Sequence, residues 1–94
     1  MSTFIMFGRY SPEAVRQISR QRTKQATELI EHYGGKVVGM YATLGRYDLV
    51  FVVSFPGNGD AMKASVALSK LTGIAFNTSP AVSVQDFDAL VAGI

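Results

Sequence analysis

Residues Leu49-Val50-Phe51-Val52-Val53-Ser54-Phe55 are apolar at both parities of a strand, and no other feature constrains the fold as tightly. Successive side chains of a strand point to opposite faces, so Leu49, Phe51, Val53 and Phe55 go one way while Val50 and Val52 go the other. Such a strand belongs at the centre of a sheet that is covered on both sides; a sheet with one face in water alternates apolar with polar residues instead. The segment Thr3 to Tyr10 has the same property, with Phe4 and Met6 opposed by Ile5 and Phe7. These two strands define a core that must be closed from both directions.

The rest of the chain supplies cover for one face. Ser11 fits an N-cap with Pro12 at the first helical position and Glu13 near the positive end of the dipole, so a helix is expected from Pro12 to Tyr33. Its apolar face begins at Val15 and Ile18 and resumes at Ala26, Leu29, Ile30 and Tyr33. Ser19 to Gln25 is almost wholly polar between them, which predicts a kink or interruption there. Gly34-Gly35 ends the helix as a left-handed cap would. A second strand from Lys36 to Leu44 and a third from Tyr47 to Phe55 are joined by Gly45-Arg46, forming a hairpin. Pro56-Gly57-Asn58-Gly59 breaks the pattern, and a helix led by Asp60 places Ala61, Ala64, Leu68 and Leu71 on one face before Gly73 stops it. Ile74 to Val84 reads as a fourth strand whose Pro80 demands an edge position or a bulge, and a short helix from about Asp86 carries Phe87, Leu90 and Val91.

The order β-α-β-β-α-β predicts a single α+β domain over residues 1–94, a ferredoxin-like sandwich. It has a four-stranded antiparallel sheet, two helices on one face and a short C-terminal helix. Right-handed crossovers put strands one and three at the centre. The face away from the helices then has no cover within the chain. A chain of 94 residues buries only about 60 to 65% of its unfolded surface, and this one has no cysteine to staple it. The expectation is therefore a homodimer packed sheet to sheet, with higher assembly open. Apolar runs are too short to span a bilayer and no export signal is visible at the N-terminus, so a cytoplasmic location and no membrane partner are expected.

At Leu44-Gly45-Arg46-Tyr47-Asp48-Leu49-Val50 the chain resembles the GYD domain family of small bacterial proteins, here in the form Gly-x-Tyr-Asp. The opening strand followed by Tyr10-Ser11-Pro12-Glu13, the Gly34-Gly35-Lys36 helix exit and the small-residue helix Ala61 to Leu71 with its Gly73 stop extend the resemblance over nearly the whole chain. It implies a dimeric α+β barrel. The wider group includes cofactor-free monooxygenases, haem-degrading enzymes and stress-responsive proteins, and fold does not choose among them.

Asp48 enters the most apolar strand of the chain, where aspartate is disfavoured. On the helix-covered face it would be desolvated, with a raised pKa and the makings of a general base beside Tyr47 and Arg46; otherwise it accepts backbone hydrogen bonds and fixes the turn. A ligand pocket on this hairpin would be lined by Tyr41, Thr43, Arg46, Tyr47 and Asp48. His32, the only histidine, lies four residues after Glu28. This pair suits a surface contact near a helix C-terminus better than a metal or haem site, so no metal and no cofactor are expected. Arg16, Arg20 and Lys24 recur every four residues with Arg22 nearby, which reads as a solvated basic face. Phosphate-loop, dinucleotide and serine-elbow motifs are missing. An RNA-recognition reading of the βαββαβ order is kept only as a minor alternative, because Arg46-Tyr47-Asp48 puts an acid where nucleic acid should approach. Cofactor-free oxygenase chemistry would call for tryptophan, asparagine and histidine around a cavity, and the chain has no tryptophan. The balance favours a non-catalytic ligand-binding or stress-associated module over an enzyme.

Overall fold

The computed structural model describes all 94 residues. The elements run β1 (Ser2–Arg9), α1 (Pro12–Arg16), α2 (Arg20–His32), β2 (Lys36–Ala42), β3 (Leu49–Phe55), α3 (Asn58–Thr72), β4 (Ala75–Ala81) and α4 (Val84–Val91). The strands form one antiparallel sheet in the order β2-β3-β1-β4, so the two strands that are apolar on both sides occupy the centre. Pro80 sits in edge strand β4, where its missing N–H interrupts no inner ladder. The sheet's irregularity lies instead in β2, where the pairing with β3 shifts between Val37 and Gly39.

The helix expected from Pro12 to Tyr33 is two helices. The Ser11 hydroxyl accepts from Ala14 N–H at 3.0 Å to cap α1, and the Ser19 hydroxyl accepts from Arg22 N–H at 3.0 Å to start α2 afresh. The polar stretch that suggested an interruption is largely helical; the break falls at residues 17–19 and takes in only its first residue, Ser19. Ser19 offers the backbone a capping bond that competes with helix continuation. Val15 and Ile18 remain exposed, so no buried stripe spans the junction to hold it straight. The exits of α2 and α3 behave as read from sequence, with Gly34 and Gly73 at φ +80° and +72°.

Helices α2 and α3 pack on each other and on one face of the sheet. Phe4, Met6, Phe51, Val53 and Phe55 from the strands meet Ala26 and Ile30 of α2 and Ala61, Ala64 and Leu68 of α3. Phe4 and Phe55 meet edge to face with centroids 6.0 Å apart. The alanines let α3 lie close on the sheet. Gly8 answers a similar demand at the end of β1, since a Cβ there would come 3.0 Å from the Phe76 ring and 3.1 Å from Ile74.

The opposite face carries Ile5, Phe7, Val50 and Val52 on the central strands, all only half-buried, with exposed Tyr41 beside them on β2. Helix α4, capped by the Ser83 hydroxyl, carries no buried residue and leaves Val84, Phe87 and Leu90 in solvent. No helix is long and apolar enough to cross a membrane.

Candidate functional site

The hairpin singled out from sequence is longer than a two-residue turn. β2 ends at Ala42 and β3 begins at Leu49, leaving residues 43–48 as a loop that holds Thr43, Arg46, Tyr47 and Asp48 outside both strands. Thr43 closes it from inside, its N–H donating to the Asp48 carbonyl at 2.9 Å and its hydroxyl to the Tyr47 carbonyl at 2.7 Å. Gly45 takes φ +112°, a backbone state that favours glycine.

Asp48 ties this loop to the end of β1. Its N–H donates to the Gly8 carbonyl at 2.9 Å, and its carboxylate accepts from Tyr10 N–H at 2.8 Å. The chain leaves the sheet at Tyr10 on its way to Pro12, so the carboxylate supplies an acceptor that the ladder no longer provides. The condition for a desolvated base is not met, because Val50 and Val52, which share the parity of Asp48, face away from the helices. Tyr47 lays its ring against Phe7 on the open face, with centroids 5.0 Å apart, and the Arg46 guanidinium carbon lies 5.8 Å from the Tyr47 ring centroid. The Tyr41 ring folds along β2 over Gly39, also on the open face.

A cavity of about 210 Å³ lies elsewhere, between the helix layer and the sheet at the end where β1 leaves. Of the five residues expected around a hairpin pocket, Tyr41 is among those lining it and Thr43, Arg46, Tyr47 and Asp48 are not. Ten of its thirteen lining residues are hydrophobic, and its walls include Ala26, Met40, Phe51 and Phe76. Thr72 is spent, donating to the Leu68 carbonyl at 2.7 Å and accepting from Ile74 N–H at 3.1 Å. Arg22 is the only charged lining residue. It is half-buried, donates to the Ala14 carbonyl and lies over the Tyr10 ring, its guanidinium carbon 5.6 Å from the ring centroid.

Arg22 was set apart by a signal already in the sequence. Arg16, Arg20 and Lys24 keep a spacing of four and stay in solvent, where Arg16 pairs with Glu13 at 3.5 Å and Lys24 with Glu28 at 4.0 Å. Arg22 instead heads the series Arg22, Ala26, Leu29 or Ile30, Tyr33, which is the inward stripe of α2. A cation in phase with a buried stripe stands by the core. His32 is exposed in the last turn of α2, edge-on to the Tyr33 ring at 5.0 Å, while the ion pair of Glu28 is with Lys24.

A second, more open groove of about 310 Å³ runs between α3 and β4 past Phe4, Met62, Val66 and Pro80. The Ser65 and Thr78 hydroxyls on its wall bond to each other at 2.7 Å, and no charged residue lines it. The small residues of α3 thus serve both close packing and open space.

Sheet order, helix placement and the doubly apolar centre define a ferredoxin-like α+β domain with a cavity between sheet and helices. The family model for the GYD domain matches residues 4–91, and the chain belongs to that family. The chain is also similar in fold to the leucine response regulatory protein of Mycobacterium tuberculosis. Its crystal structure superposes with a TM-score of 0.58 at 10% identity, over 87% of this chain and 51% of that one. The chain thus spans about half the length of that regulator. Comparison with curated proteins finds no match.

Proposed function

We propose that this protein is a homodimeric small-molecule-binding module of the bacterial cytoplasm, holding its ligand between sheet and helices without transforming it. The lining of the 210 Å³ cavity carries this reading. It is mostly apolar, with tyrosine and threonine hydroxyls and one guanidinium, and it holds no carboxylate, imidazole or thiol. Such walls desolvate and orient a ligand, and the side chains most often used for proton transfer or covalent attack, imidazole, carboxylate and thiol, are not among them. The similar fold of a protein named for its response to leucine supports a regulatory use.

The dimer is supported by the open face of the sheet. Ile5, Phe7, Val50 and Val52 form an apolar patch that Tyr41 and Tyr47 extend, and each large apolar side chain taken out of water contributes roughly 1.5 to 3 kcal/mol. A second copy presents the same patch and is self-complementary about a two-fold axis. The reading is tested by titrating small apolar probes into labelled protein whose mass has been measured by sedimentation. A species of twice the chain mass is expected, with amide shifts around Ala26, Met40 and Phe51 and chemically unchanged probe. A monomer overturns the dimer, and turnover of a probe or undisturbed cavity signals overturns the binding module.

A further inference from the structure

We propose that the cavity between α2 and the sheet is selective for small apolar monocarboxylates, with Arg22 as the anion-reading residue; this rests on the binding-module reading above. Arg22 is a half-buried cation with no anionic partner, since the chain's two ion pairs use Arg16 and Lys24. A guanidinium has five N–H donors in a planar fork. Arg22 spends one end on the Ala14 carbonyl and holds its guanidinium carbon over the Tyr10 ring, so its position is fixed from two sides before any ligand arrives. The remaining donors have no acceptor from the protein and belong to a wall whose other members are mainly hydrophobic. A planar fork held in place and left short of acceptors matches a carboxylate, which takes two parallel N–H bonds.

The backbone of the same helix turn does not compete for this role. Arg22 N–H is committed to the Ser19 hydroxyl and Thr23 N–H to the Ser19 carbonyl at 3.2 Å, and Arg20 and Gln21, whose N–H groups open the helix, do not line the cavity, so the guanidinium and not the helix end reads the anion. Size limits the body of the ligand. An apolar cavity of about 150 Å³ takes up benzene, so 210 Å³ has room for one ring or a branched aliphatic chain together with a carboxylate. Inorganic anions, which have no apolar part to desolvate, are excluded by the same walls.

The test compares benzoate, its neutral isostere benzamide and inorganic sulfate, each titrated into the full-length protein with amide shifts as readout. Benzoate is expected to shift signals of Thr23, Ala26, Met40 and Phe51 and to bind at least about tenfold more tightly than benzamide, the scale of a charge-assisted bidentate pair. Sulfate is expected to leave these signals in place. Arg22→Gln should erase the preference for benzoate over benzamide while benzamide still enters. Ala26→Leu should weaken both by filling the cavity with Arg22 intact. Equal binding of benzoate and benzamide overturns the anion inference and leaves the binding module standing. Shifts confined to residues outside the cavity also overturn it, and failure of every probe to enter overturns both. Should Arg22→Gln fail to fold, the wild-type comparison of isosteres and the Arg22→Lys variant, which keeps the charge and loses the fork, decide the matter by the same criteria.

Discussion

The two faces of the central strands are built from the same kinds of residues and meet opposite fates. Phe4, Met6, Phe51, Val53 and Phe55 lie under α2 and α3 with at most 5% of their surface exposed. Ile5, Phe7, Val50 and Val52, one residue away in each case, are half-buried because both packed helices lie on the other side. Hydrophobicity therefore does not separate the core from the open face in this chain; cover does. A domain of this size burying a single core is marginal, and the second apolar face is where additional burial is available.

That contrast is sharpest at Val52 and Val53, neighbours on β3 that point to opposite faces. Val53→Lys puts a charge with no partner into the fully buried side and should abolish cooperative unfolding altogether, well above the roughly 3 to 5 kcal/mol of a large core truncation. Circular dichroism and a denaturant titration check this. Val52→Lys, set opposite Ile5 at the middle of the open face, should leave the fold intact and halve the mass seen by sedimentation. In the proposed isologous dimer the change is met twice, so a loss of several kcal/mol of association is expected from about 1.5 to 3 kcal/mol per copy. If Val52→Lys unfolds the protein or stays dimeric, the two faces do not differ in the way described.

The central pair of strands was legible because burial on both sides leaves a direct mark, apolar residues at both parities. The exits of α2 and α3 were legible because Gly34 and Gly73 take positive φ. The split between α1 and α2 was foreshadowed by the polar stretch, but its place was set by Ser19, whose hydroxyl can cap a new helix or point idly from an old one. The hairpin is longer than its sequence suggests because Gly45-Arg46 resembles a two-residue turn, whereas residues 43–48 form a loop in which the Thr43 hydroxyl donates to the Tyr47 carbonyl. The register is the one a Gly45-Arg46 turn would give, with Ala42 opposite Leu49, but the strands stop short of Asp48, which lies in the loop and lines no pocket. The cavity was hidden for a different reason. It is assembled from α2, β2, β3 and the segment after α3, and only the helical phase of Arg22 marks it in one dimension.

Smaller effects separate the loop from both faces. Asp48→Ala removes the acceptor for Tyr10 N–H and should cost about 1.5 kcal/mol, the low end for a bond to a charged group because the site is half-exposed. Asp48→Asn, which keeps a carbonyl acceptor, should cost less, as read from the denaturation midpoint. Neither variant should alter probe binding in the cavity, since Asp48 does not line it. Lost binding in a stably folded Asp48→Asn protein would return the loop to the site.

His32→Ala is expected to fall within about 0.5 kcal/mol of the parent, as substitutions on an open surface do. Its ring meets that of Tyr33 in a T-shaped pair, and Glu28 is engaged with Lys24. The imidazole is the only one in the chain. If it serves only as surface, dimer mass and carboxylate binding should follow the same course in parent and His32→Ala between about pH 6 and 8. A pH dependence present in the parent and missing in the variant would connect the end of α2 that bears His32 to the end that bears Arg22. The helix would then be the element through which the surface speaks to the cavity.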